Sequence, residues 1–291
     1  MSARWGAFLA LALCCAVNAV AAPVMLTDDS GVLLRLPAPA SRIVTLAPSL
    51  TEIVYAAGAG GKVVAVSAFS DYPEAARALP QVADYATVSF EKILALKPDL
   101  VLAWKSGTKE IDIARLRALG VAVFVIEVAR LSDVSGALTR VGVIAGTEQI
   151  AAGAAVAFAD QIGALKQQQA KKKSVSVFFE IARTPLMTIN GRHAIDEVIT
   201  LCGGKNMFAD AATLVLQPSM ETLIAKQPDA ILHAATSDKK AVNPYGVLRA
   251  AKAKRIFQID PDTILRPGPR LVQGVFQVCA AIDKARASLG K

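Results

Sequence analysis

Ser89-Phe-Glu-Lys-Ile-Leu-Ala-Leu-Lys-Pro-Asp-Leu-Val-Leu and, far downstream, Ser219-Met-Glu-Thr-Leu-Ile-Ala-Lys-Gln-Pro-Asp-Ala-Ile-Leu are two copies of one pattern. In each, a Ser suited to accept from the orphan amides of a helix start precedes Glu91 or Glu221 in the positive first turn, and about two turns of apolar helix follow. Pro98 and Pro228 stop the helix, and the apolar run behind the Asp reads as a buried strand. A repeat of this length implies duplicated lobes; a common helix-to-strand connection arising twice is the competing explanation. Two similar lobes leave a cleft between them, and clefts of that kind bind small molecules.

Outward from each copy the chain alternates strand and helix. Arg42 to Leu46 reads as a strand, and Ser49-Leu-Thr-Glu52 as a capping box opening a helix, with Gly58 at its left-handed C-terminal position. Strand Val63 to Val66, a loop from Phe69 to Ala86, helix Phe90 to Leu96, strand Leu100 to Ala103, helix Asp112 to Leu119 and strand Ala122 to Ile126 come next. The alternation predicts a parallel, doubly wound lobe over residues 40–146. Residues 147–173 lack Pro and are rich in Ala, Gln and Lys, which predicts one helix of about 24 residues, about 36 Å long. A second lobe over 174–291 repeats the scheme: strand Val175 to Ile181, helix Ala194 to Leu201, the repeated helix and strand from Ser219 to His233, a turn and helix over Asn243 to Ala250, strand Arg255 to Ile259, a loop from Asp260 to Pro269 and a final helix carrying Cys279. The fold class expected is α/β, two similar Rossmann-like lobes joined by one long backbone helix. A rigid helical connection implies small domain closure.

Composition excludes several functions. A formal charge of +8 invites a nucleic-acid reading, but Lys and Arg run together only at Lys171 to Lys173 and Lys252 to Arg255, and aromatics make up just 5%. Residues 1–22 carry Arg4, an apolar stretch from Gly6 to Val17 and Ala19-Val-Ala21 before Ala22-Pro23, the pattern of a cleaved signal peptide. Export to the periplasm is therefore expected. Cleavage removes Cys14 and Cys15 and leaves Cys202 and Cys279 in an oxidising compartment, where a disulfide is the expectation and two buried thiols the alternative. Gly58-Ala-Gly-Gly-Lys62 lacks the Ser or Thr of a phosphate loop and follows a helix, so it reads as a cap and turn. No nucleophile elbow or metalloprotease motif is present. His193, beside Arg192 in a polar turn, reads as solvated, and His233, ending a buried strand, as structural. No enzyme is indicated, and no cofactor or metal.

Loop residues at predicted strand ends do converge, where open α/β sheets hold ligands. Ser70-Asp-Tyr-Pro73, Tyr85, Trp104 and the pair Asp262 and Arg266 all fall there. Tyr and Trp are scarce in this chain, so three at strand ends suggest a surface for a flat, conjugated ligand, against the alternative that each plugs its own core.

At these residues the chain resembles the periplasmic binding proteins of bacterial ABC importers, in the helical-backbone class that carries cobalamin, haem and ferric siderophores, and within it the cobalamin binders. The resemblance runs from Arg42 to the C-terminus and rests on Ser70 to Pro73, Ser89 to Trp104, Leu201-Cys-Gly-Gly204, Asp262 to Arg270 and Cys279. It implies that Tyr72, Tyr85 and Trp104 line the first-lobe face of a corrin pocket, that Asp262 and Arg266 belong to the second-lobe face, and that Ile181 and Val215 stand where relatives carry aromatics. It implies a Cys202–Cys279 disulfide. It also implies docking of Glu91 and Glu221, one on each lobe, to a two-fold symmetric permease in the inner membrane, with helix-dipole complementation as the alternative role. The ligand expected is cobalamin or a related corrinoid, the protein a monomer. Haem is the next reading, because a Tyr near position 85 ligates iron in haem-binding relatives. Ferric siderophores come third, with Arg183, Arg192 and Arg266 as the available cations. An exported metal-site protein or enzyme using His193, His233 and Asp262 is the remoter reading.

Overall fold

The two copies of the repeat take the same place in two sheets. A computed structural model describes residues 22–234 and 245–290. The expected signal peptide, apart from Ala22, and the start of the expected turn at Asn243 lie outside the described residues.

After a hairpin of β1 (Val24–Thr27) and β2 (Leu33–Leu36), the first lobe runs β3 (Ile43–Thr45), α1 (Pro48–Ala56), β4 (Val63–Ser67), β5 (Gln81–Ala83), α2 (Phe90–Ala95), β6 (Leu100–Trp104), α3 (Glu110–Ala118), β7 (Val123–Ile126) and α4 (Leu131–Ala145). Its strands pair in parallel in the order β5-β4-β3-β6-β7. Helix α5 (Glu148–Gln169) then crosses to the second lobe. That lobe comprises β8 (Val175–Glu180), β9 (Ala182–Arg183), β10 (Leu186–Ile189), α6 (Ala194–Leu201), β11 (Gly204–Asn206), β12 (Val215–Leu216), α7 (Met220–Lys226), β13 (Ala230–His233), α8 (Arg249–Lys252), β14 (Ile256–Gln258), α9 (Pro261–Ile264) and α10 (Leu271–Leu289). Its main sheet is again parallel, β11-β8-β13-β14, beside a small antiparallel sheet β12-β10-β9.

The repeat strand, β6 or β13, lies beside the first parallel strand of its lobe, β3 or β8. The Pro-Asp step shows how. The residue before each Pro, Lys97 or Gln227, takes a left-handed φ of 45° or 46°, which ends the helix and turns the chain. The Asp then reaches across to the neighbouring strand. Asp99 accepts from the backbone and hydroxyl of Ser41, both at 2.8 Å, and Asp229 accepts from those of Ser176 at 3.0 and 2.7 Å. One carboxylate per lobe thus pairs the entry of the repeat strand with the entry of its neighbour.

Both sheets are covered on both faces, which is why their strands read as unbroken apolar runs. Leu100 and Leu102 of β6 face the main core while Val101 and Ala103 face a second cluster. In β13 Ala230 and Leu232 join the main core and Ile231 the outer cluster with Phe178 and Tyr245. The main core is continuous through both lobes and includes Ala151, Ala155, Phe158 and Leu165 from the inner stripe of α5. Gly142 of α4 permits close approach, since a Cβ there would lie 2.3 Å from that of Ala151.

Several readings of the sequence change. Ser219 caps α7 by accepting from Thr222, but Ser89 makes no side-chain cap at α2. The capping box at Ser49 to Glu52 is absent: α1 starts at Pro48 behind Ala47, and Ser49 and Glu52 are buried inside it. The loop from Phe69 to Ala86 contains a short 3-10 helix (Glu74–Ala78) and β5, and the loop from Asp260 to Pro269 contains α9. Helix α4 and the β1-β2 hairpin were not expected, and α5 stops at Gln169.

Cys202, at the C-terminal cap of α6, is disulfide-bonded to Cys279 of α10, closing a separation of 77 residues. Chain entropy sets a ceiling of about 4.5 kcal/mol on the stabilisation from a loop of that length. A C202S/C279S double variant is expected to unfold at a clearly lower urea concentration, with a somewhat steeper transition because the denatured chain, freed of the cross-link, exposes more surface. An unchanged midpoint would mean that the bond adds nothing to the packing of α6 on α10.

Candidate functional site

The carboxyl ends of the first-lobe strands and the loop Pro261 to Arg270 of the second lobe meet across a cleft. One cavity in it, of about 290 Å³, has Trp104, Glu127 and Val128 on the first-lobe side and Arg192, His193, Leu214, Ile264, Leu265 and Pro267 on the other. A second hollow of about 400 Å³ is lined by Glu52, Tyr55, Tyr72, Pro269 and Arg270. Arg266 stands between Leu265 and Pro267 in the wall of the first, two residues short of the Pro269 wall of the second.

Trp104 ends β6 half-buried, its ring lying directly over Gly107, where a Cβ would come within 2.0 Å of it. Its Nε1 donates to Glu127 Oε1 at 3.4 Å, and the other oxygen of Glu127 accepts from the backbone and hydroxyl of Ser106 at 2.9 and 2.6 Å. Glu127 thereby orients the indole. It was not singled out in the sequence, although it directly follows a buried strand, as Trp104 ends one.

The lobes are tied by charge. Arg270 grips Glu52 with Nε at 3.0 Å and an NH2 group at 2.6 Å, and its guanidinium also lies 4.2 Å from the Tyr72 ring centre. Arg266 donates to Asp71 at 2.5 Å and to Asp262 of its own lobe at 2.8 Å. The Arg266 bond holds the Asp71 carboxyl below the ordinary range, whereas burial pushes Glu52 above it, only partly offset by Arg270. Asp71 therefore favours the folded state above its unfolded pKa of about 3.9, a contribution lost as pH falls through its lower folded value.

Tyr72, Asp262 and Arg266 thus form one cluster with Asp71 and Arg270, which lie in the quoted Ser70 to Pro73 and Asp262 to Arg270 stretches, and with the unanticipated Glu52; Trp104 is in the adjoining cavity. Tyr85 stands apart. It is 90% exposed at the tip of a turn that Asp84 holds by accepting from Ala86 and Thr87. Ile181 and Val215 are half-buried against the main core and line neither cavity. Glu91 and Glu221 are exposed at the starts of α2 and α7. His193 is not in a solvated turn: it caps α6 and faces the Trp104 cavity. Among the described residues no group of three or more His, Cys, Asp or Glu could hold a metal ion, and no helix is long and apolar enough to cross a membrane.

Two α/β lobes, a helical backbone and an aromatic-walled cleft at the strand ends define a class of solute receptor. The chain belongs to the periplasmic binding protein family, whose sequence profile matches residues 43–263. Members of this family act in the periplasm and bind solutes; they are not enzymes. Among individual relatives, the vitamin B12-binding protein of Vibrio cholerae is 35% identical over 260 residues, 87% of this chain and 93% of the relative. The crystal structure of periplasmic vitamin B12 binding protein BtuF of Vibrio cholerae superposes with a TM-score of 0.80 at 34% identity, covering 85% of this chain and 98% of that one. The periplasmic heme-binding protein RhuT from Roseiflexus sp. RS-1 gives a TM-score of 0.75 at 27% identity, covering 84% and 99%.

Removing one partner of a buried ion pair leaves the other uncompensated, at a cost of about 3 to 5 kcal/mol. Arg270→Ala is therefore expected to destabilise the protein by an amount in that range, and a second change, Glu52→Gln, to recover much of it. Urea unfolding of the wild type, both single variants and the double variant measures this; additive losses would mean that Glu52 and Arg270 are not coupled.

Proposed function

We propose that this protein captures cobalamin or a related corrinoid in the periplasm and delivers it to the permease of an ABC importer. The observation that carries the reading is the cleft wall: Trp104, held edge-on by Glu127, faces an apolar surface of Leu214, Ile264 and Leu265 from the other lobe. A flat macrocycle stacks on such an indole and buries its apolar rim opposite. The likeness to vitamin B12-binding proteins supports the same choice. In this reading Tyr72 and Trp104 line the first-lobe face and Asp262 and Arg266 the second, with Ile181 and Val215 lying behind it. Residues 1–22 are the export signal, and the lobes extend over 40–146 and 174–291 about the backbone helix of 147–173.

The cations named for an anionic siderophore are already engaged. Arg183 is held by Glu180 at 2.9 Å, Arg192 donates to the Ala212 carbonyl at 2.6 Å, and Arg266 bridges Asp71 and Asp262. Haem remains the second reading, favoured by the 27% identity to RhuT, with Tyr85 as the iron ligand it would need.

Isothermal calorimetry with cyanocobalamin is expected to give one site per chain. Trp104 is the only Trp among the described residues, and its emission should fall steeply as the overlapping corrin absorption stacks against it. Trp104→Ala should weaken binding by about 1 to 3 kcal/mol. Tight haem binding with no heat from cyanocobalamin would transfer the assignment to haem.

Glu91 and Glu221 fit docking to a two-fold permease, because the repeat places one exposed carboxylate at the same point of each lobe. Changing both to Lys is expected to leave cyanocobalamin affinity intact and to suppress uptake in a transport assay, chiefly by slowing association. Normal transport by the double variant would exclude the docking role.

A further inference from the structure

His193 faces the Trp104 cavity from the opposite lobe, and its own helix holds its ring. The backbone N–H of Ile195 donates to His193 Nδ1 at 3.1 Å. A neutral imidazole has one donor nitrogen and one acceptor nitrogen, so an Nδ1 that accepts leaves the proton on Nε2. Burial lowers the pKa of the imidazole, which favours this neutral form near pH 7. Nε2 has no hydrogen-bond partner among the described residues. Of the other polar groups lining the cavity, Glu127 is bonded to Trp104 and Ser106, while Lys105 and Arg192 each give one N–H to a backbone carbonyl, of Asp29 and Ala212, and keep further donors.

We propose that His193 is a specificity residue of the cleft, a fixed Nε2–H donor that recognises an uncharged acceptor, a carboxamide oxygen, on the rim of the bound macrocycle. The assignment rests on the corrinoid reading above and adds to it the chemistry that the second lobe offers. The same tautomer denies the ring a role as metal ligand. Ligation through Nε2 requires its lone pair, and freeing that pair would move the proton to Nδ1, opposite the Ile195 N–H. The cleft therefore meets the edge of its ligand with a hydrogen bond and leaves the central metal alone.

Two variants separate the cap from the donor. His193→Asn keeps an acceptor at the position of Nδ1 and a residue favoured at helix N-caps, but leaves no N–H at the position of Nε2, because its amide nitrogen sits closer to the backbone, near the former Cδ2. His193→Gln carries an N–H close to the position of Nε2. Cyanocobalamin titrations, read by calorimetry and by Trp104 emission, are expected to give a roughly three- to tenfold weaker Kd for His193→Asn with an unchanged melting temperature. His193→Gln should recover most of the affinity. Wild-type and His193→Asn proteins mixed with haemin should show the same Soret band. Equal cyanocobalamin affinity of His193→Asn and wild type would overturn the donor role while leaving the corrinoid reading in place. A Soret band that changes on losing His193 would overturn the tautomer. No cyanocobalamin binding by the wild type would remove the corrinoid reading and this assignment with it.

Discussion

Glu52 lies on a helix of the first lobe with both carboxylate oxygens held by Arg270 of the second, in a setting where an unpaired charge would be costly. That requirement sets how the lobes meet. Arg270 begins the final helix and closes the loop that carries Asp262 and Arg266, so anchoring it to Glu52 brings the whole loop against the first lobe. Arg266 then reaches Asp71 beside Tyr72, while its neighbours Leu265 and Pro267 complete the wall opposite Trp104. The cleft is in this sense built around one buried ion pair.

The charges at the cleft are paired in part, and this shapes what the site can recognise. Arg266 and Arg270 are paired with carboxylates, while Arg192 and Lys105 in the cavity wall each give one N–H to a backbone carbonyl and keep their charge. Beside those two cations the cavity offers apolar surface, one oriented indole and one imidazole. Such a site discriminates by shape and by a few directed hydrogen bonds. The same ion pairs join the lobes, and the main core passes without a break through the backbone helix. Closure on a ligand is accordingly expected to be a small adjustment.

Duplication left different marks in the two halves. The Pro-Asp step recurs down to the left-handed residue before the Pro and the serine contacts of the Asp, because both are needed to place a parallel strand beside its neighbour. The strand end did not stay symmetric. The first lobe carries Trp104, and the matching place in the second is Ala234. Framework chemistry was kept in both lobes, and the strand-end position that faces the cleft in the first lobe diverged.

Much of the architecture was legible in the sequence, because it depends on local signals. Apolar runs of strand length, Pro at helix ends and the two repeats were enough for two α/β lobes and a long connecting helix, and the scarcity of Trp and Tyr drew attention to Tyr72 and Trp104. Short elements such as β5 and α9 were missed, since segments of three or four residues carry too little periodicity to stand out from loop. Glu52 was misread for a physical reason: spacing alone matches a capping box, and only the other lobe supplies the Arg270 that makes it an ion pair. His193 was misread in the same way, as its Gly-Arg-His turn is polar by composition and becomes a cleft wall only when Trp104 and Val128 of the other lobe lie opposite. The sequence by itself determined the elements and their duplication, which follow from interactions a few residues apart. Which polar side chains would be buried, paired or left to face a ligand was decided by contacts between residues up to 218 positions apart, and those exist only in the folded chain.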